Sequence, residues 1–118
     1  MAATKTSRTL LASQALAAAA SVNTAELNLS AAYGALATVK LTNGATAPTT
    51  PPVVKFYIGE STGTKRLYWQ GYGDVVNGSV TDVVCEIPPS SMFLNVTVTN
   101  GATNAITVEA YAQELTAV

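Results

Sequence analysis

The sequence contains no histidine and a single cysteine, Cys85. Without histidine the chain lacks the commonest general acid/base, the commonest metal ligand and the usual activator of a serine or cysteine nucleophile. One cysteine excludes an intrachain disulfide. Charge is also scarce: only 11% of residues are Asp, Glu, Lys or Arg, where a soluble domain carries about a quarter. Six basic residues against seven acidic ones give a net charge of -1. Lys65 and Arg66 are the only adjacent bases, too few to neutralise a row of phosphates, so nucleic-acid binding is not expected. No apolar run is long enough to span a bilayer as a helix.

Catalytic and ligand-binding patterns are missing as well. The acidic residues fall singly, without the pairing glycoside hydrolysis needs or the clustering a calcium loop needs. Gly59, Gly63, Gly71 and Gly73 do not have the spacing of a phosphate-binding loop, and no helix pattern follows them. The expectation is a protein that is not an enzyme and holds no cofactor or metal. The sequons at Asn28, Asn77 and Asn95 are what a chain rich in Asn, Ser and Thr produces by chance.

What the sequence does contain is hydrophobic residues, at 48%, arranged with a period of two. Ala37, Val39 and Leu41 alternate with Thr38, Lys40 and Thr42; Val54, Phe56 and Ile58 with Lys55 and Tyr57; Val83, Cys85 and Ile87 with Asp82, Val84 and Glu86. Leu94, Val96 and Val98, then Ile106, Val108, Ala110 and Ala112, repeat the pattern. With Thr9 to Ala15, Glu26 to Leu29 and Arg66 to Tyr72, about eight short strands are predicted, each with one apolar face. That pattern specifies an all-β protein, either an antiparallel sandwich or a jelly-roll-like barrel. Asn43-Gly44, Asn77-Gly78 and Asn100-Gly101 are turn signals, the third a tight connection between two strands. The alanine run Ala17 to Ala20 has no amphipathic continuation and fits a turn or bulged strand as well as a helical turn. Cys85, on the apolar face, reads as a buried, unreactive thiol.

At 118 residues the chain is one domain. Residues 1-7 read as a short flexible arm, and 8-118 as the β domain. Lys5 and Arg8 ahead of Leu10 to Ala20 faintly suggest a signal peptide, but Ser13 and Gln14 break the apolar run, so we assign the segment to the fold.

The sparse charge leaves Thr, Asn, Ser and Ala to cover the surface, which suits a chain partly covered by neighbours. The segments placed to reach a neighbour are the arm with the following turn of chain (Thr4, Lys5, Arg8), the proline-threonine stretch (Pro48, Pro51, Pro52) and the aromatic run (Tyr68, Tyr72). In that run alternation sends Leu67 and Trp69 to the core and leaves Tyr68 and Gln70 on the other face. Tyr68, Trp69 and Tyr72 also make a sugar-stacking platform conceivable.

Thr9-Leu10-Leu11-Ala12-Ser13-Gln14, Leu27 to Gly34, Val39 to Thr46 and the closing Ile106 to Thr116 resemble small virion proteins of tailed bacteriophages. The resemblance implies a structural protein of the particle, in the first place a capsid decoration (cement) protein. Such a protein is made in the host cytoplasm and sits on the outer surface of the phage head, often as a trimer, bridging subunits of the major capsid protein. A tail or head–tail junction component is the alternative within the structural class; a carbohydrate-binding surface module is the alternative outside it.

Overall fold

The computed structural model describes residues 3–61 and 64–117. Its strands are β1 (Thr4–Leu16), β2 (Ser21–Asn23), β3 (Leu27–Asn28), β4 (Ala35–Asn43), β5 (Val53–Ser61), β6 (Thr64–Tyr72), β7 (Val80–Ile87), β8 (Phe93–Thr99) and β9 (Ile106–Ala117), with no helix among the described residues. They form two antiparallel sheets, one in the order β1-β9-β4-β7 and the other in the order β2-β8-β5-β6, with β3 also on β8. Of the two expected architectures the sandwich is the one observed.

The period-two pattern explains the packing. Along β4 the residues Ala35, Ala37, Val39 and Leu41 are buried, and so are Ile106, Val108, Ala110 and Ala112 on its neighbour β9. Val54 and Phe56 on β5, with Leu94, Val96 and Val98 on β8, close the core from the other sheet. Phe56, one of the largest fully buried side chains, shares this core with the alanines of the first sheet. Cys85 lies in this core. The C-terminal strands β8 and β9 are interior strands of their sheets, which explains how β8 dispenses with protective charge.

Three expectations need correction. The arm is not free: from Thr4 onward it is part of β1, paired with β9 in a register that runs from Thr4↔Ala117 to Leu16↔Ile106; Met1 and Ala2 lie outside the described residues. Polar residues suffice there because the backbone of β9 supplies the pairing. The ladder is reinforced by Thr6 and Thr116, whose hydroxyls meet at 3.3 Å, and by Arg8 Nε, which donates to Glu114 Oε2 at 3.0 Å.

The second correction concerns the proline-threonine stretch, which is tied down rather than free to reach a neighbour. Ala47 N donates to Asn77 Oδ1 (2.8 Å), Asn104 Nδ2 to Ala47 O (3.0 Å), and Ala102 N to Thr50 Oγ1 (2.9 Å). Pro48 and Pro52 are accordingly less than 2% exposed. The third concerns the strand inventory: Ser21–Asn23, not expected as a strand, pairs with Val98 and its neighbours on β8 as β2. Ala17 to Ala20 is a turn, with Ala19 at φ 58°.

The connections gather at two ends. Turn 17–20 and loops 44–52, 73–79 and 100–105 share one end, where Asn100 is the hub. Its Nδ2 donates to Leu16 O, Ala17 O and Asn104 O at 3.1, 3.2 and 2.9 Å, and its Oδ1 accepts from Gly101 N at 2.7 Å.

Candidate assembly surface

β6 and β7 are the edge strands of their respective sheets, on the same side of the sandwich. They lie face to face: a Cβ on Gly71 would fall 2.5 Å from a methyl of Val83. A short groove between them is lined by Tyr68, Trp69, Val84, Cys85 and Glu86.

Leu67 and Trp69 were both expected in the core, and neither is fully buried. β6 carries a bulge: Phe56 pairs with Trp69 but Tyr57 pairs with Leu67, so Tyr68 is the extra residue. The bulge reverses the alternation. Trp69 stays on the side of Phe56, with ring centroids 5.9 Å apart, yet it is 45% exposed because no strand lies beyond it. Leu67 falls on the side of Tyr57, outside the sandwich, and is 49% exposed.

Next along the chain, Val75 and Val76 are exposed in the loop from β6 to β7, and Val80 and Val84 on the outer face of β7. Of the twelve large hydrophobics exposed among the described residues, eight fall between Leu67 and Val84. The patch continues across the first sheet, where Val84, Thr38 and Tyr111 sit side by side in register on β7, β4 and β9. Beside it Lys40 Nζ lies 3.7 Å from Glu109 Oε1, and the Tyr111 hydroxyl donates to Glu109. That bond, more than burial, raises the tyrosine pKa. Scattered apolar residues on a surface need no explanation, but eight gathered around one open sheet edge make it a candidate site of contact.

The opposite edge is different. β1 and β2 expose no large hydrophobic among the described residues. Thr4 and Lys5 are exposed there, and Lys5 borders a cleft of about 470 Å³ with Tyr33, Leu36 and Pro89. Arg8 holds the buried carboxylate of Glu114 and so has an internal partner. Of the residues expected to reach a neighbour, only Tyr68 and Tyr72 belong to the apolar edge. Pro51 is exposed at the loop end, and Pro48 and Pro52 are removed by burial. The residues that sequence reasoning missed are the valines. Val84 had a readable signal, since it shares the wet face of β7 with Asp82 and Glu86.

The Cys85 thiol pKa is raised, first by burial and then by the neighbouring Glu86 carboxylate, which disfavours the nucleophilic thiolate. No group of three His, Cys, Asp or Glu among the described residues could hold a metal ion.

No protein-family model matches the sequence, and no curated protein matches it. Solved structures share the fold. The chain is similar to a protein of the Bacillus endospore appendages, a family of disulfide-linked pili, with a TM-score of 0.57 and 19% identity over 100% of this chain and 93% of that one. It is similar to a chain of the infectious bursal disease virus Gx strain, with a TM-score of 0.61 and 9% identity over 95% of this chain and 32% of that one. For the VP2 subviral particle of the same virus the TM-score is 0.57, with 7% identity over 96% of this chain. The chain thus spans about a third of the viral protein, 33% in the VP2 particle, and nearly all of the appendage protein. At such identities the likeness is one of fold.

Proposed function

We propose that this chain is a structural protein that acts by packing against other protein chains, and more finely a virion protein of the capsid decoration type. The observation that carries the reading is the collection of exposed apolar side chains at one open edge of the sandwich, in a chain only 11% charged. A fold also found in a pilus protein and in a viral particle protein supports it, as does the resemblance of its strand-and-turn text to phage virion proteins. On this reading it is made in the host cytoplasm, takes its place on the outside of the head, and carries out no catalysis.

The mechanism is linkage. A protein that binds the assembled shell but not the disrupted one lowers the free energy of the assembled state, by about 4 kcal/mol for each site when present at a thousand times its dissociation constant. Co-sedimentation with empty phage heads tests this: the chain should pellet with heads and raise their disruption temperature. A chain that stays in the supernatant with heads and with tail assemblies alike would overturn the virion reading.

One observation favours a second reading. Tyr68 and Tyr72 are exposed on β6, and Gln70 Nε2 donates to the Tyr72 hydroxyl at 2.5 Å, a polar group fixed beside an aromatic ring as sugar platforms require. Glycan-array binding lost on Tyr72→Ala would establish it in place of the first.

A further inference from the structure

We propose that the β6/β7 edge is the self-association surface of this protein, and that its partner is a second copy related by a twofold axis parallel to the strands. The inference rests on the assembly reading above and names the partner for that surface.

Strand direction comes first. β6 and β7 run in opposite directions on the same side of the sandwich, in different sheets. A twofold axis parallel to the strands and just outside this edge exchanges the two sheet layers and preserves strand direction. It therefore sets β6 of one copy beside β7 of the other, antiparallel, and does so twice. Each sheet of one sandwich then continues into the opposite sheet of its partner, and both open edges are closed at once.

Charge selects the same pairing. The charged side chains of β6 are basic, Lys65 and Arg66, and those of β7 are acidic, Asp82 and Glu86. Contacts of β6 with β6, or of β7 with β7, would oppose like charges; only β6 against β7 opposes unlike ones. Lys65 has a long contact within its own chain, 3.9 Å to Glu26, compatible with a role in partner choice.

The distribution of apolar surface excludes the main competitor. A head-to-tail array would set β7 against β1 of the next copy, also antiparallel and also of opposite charge. It would, however, cover the apolar edge with one exposing no large hydrophobic among the described residues. A ring of three likewise needs two different complementary patches. A self-complementary contact puts Tyr72 and Val84 against apolar partners.

Light scattering on the purified chain should give the mass of a dimer that dissociates on dilution. Asp82→Lys with Glu86→Lys makes both edges basic, and Lys65→Glu with Arg66→Glu makes both acidic. Each double variant alone should dimerise at least tenfold more weakly, and an equimolar mixture should recover a heterodimer. Circular dichroism checks that both keep the β spectrum; Val84→Ser, one exposed position, is the milder variant and should weaken the dimer without altering any charge. A trimer, a growing filament, or a mixture that does not recover would overturn the twofold arrangement. A monomer that still binds phage heads would overturn it and leave the assembly reading standing; a monomer that binds none removes both.

Discussion

Asn100 is the position where one substitution reports most directly on the architecture. It is buried, and its amide serves three carbonyls while its oxygen holds Gly101 N. Asn100→Ala leaves those groups without their partner. A neutral hydrogen bond whose loss strands a buried partner costs about 1–3 kcal/mol. The two amide hydrogens are shared among three carbonyls, and Gly101 N adds a fourth contact, so we expect a loss of about 3 kcal/mol. For 118 residues the unfolding entropy is roughly 250 cal/mol/K, and the Tm should fall by roughly 12 °C. Asn100→Asp should be at least as damaging near neutral pH. Its carboxylate keeps the bond from Gly101 N but turns an acceptor toward three carbonyl oxygens. Asn77→Ala is the comparison, since Asn77 is exposed and its Oδ1 receives one bond, from Ala47 N; about 1 kcal/mol is expected. Urea melts followed by circular dichroism would measure all three. Equal small losses at Asn100 and Asn77 would refute the claim that Asn100 ties the β1–β2 turn to the β8–β9 loop.

Other outcomes follow from the packing. Leu94→Ala, fully buried, should cost about 2–5 kcal/mol, whereas Leu67→Ser, on the outer side of the bulge, should cost under about 1 kcal/mol; similar losses would mean Leu67 is a core residue after all. Gly101→Ala would place a Cβ 2.0 Å from Thr50 O and should destabilise well beyond Gly78→Ala. Gly78 meets nothing within 4 Å and has only its positive φ to strain, a cost of about 1 kcal/mol. Cys85 should label slowly with a thiol reagent in the folded state and rapidly in denaturant; fast native labelling would place it outside the core. Its raised thiol pKa has a defined sign. The stability it contributes is full below the unfolded thiol value and is lost as pH climbs through the raised folded value, so Cys85→Ala should soften the alkaline decline seen in melts between neutral and strongly basic pH.

The parts of the fold legible beforehand are those whose specification is local. Val39, Val96 and Val108 sit in runs whose alternation alone decides which face is buried. The parts that were not legible depend on partners distant in the chain. β2 is three residues given strand character by β8, and Thr4 to Ser7 extend only because β9 offers them a ladder. The bulge at Tyr68 is invisible to a period-two reading, which assumes an unbroken register; it moved Leu67 out of the core. Pro48 and Pro52 are buried through hydrogen bonds that loop 44–52 makes to residues more than twenty positions away. At the candidate surface Tyr68 and Tyr72 were legible as exposed aromatics. The company they keep was not, since it depends on β6 and β7 ending up on one side.

The pairing of β1 with β9 has a mechanical consequence. Thr4 lies opposite Ala117 in an antiparallel ladder, so a pull applied at these two ends loads the ladder one rung at a time, as a zipper, rather than shearing all rungs together. Peeling would begin at Thr4, where the Thr116 hydroxyl bonds Thr4 O at 3.3 Å, and meet its first substantial resistance at the Arg8–Glu114 pair. A building block of this design resists tension poorly through its ends. Tension carried across its sheets, at edges such as β6 and β7, avoids that weak axis.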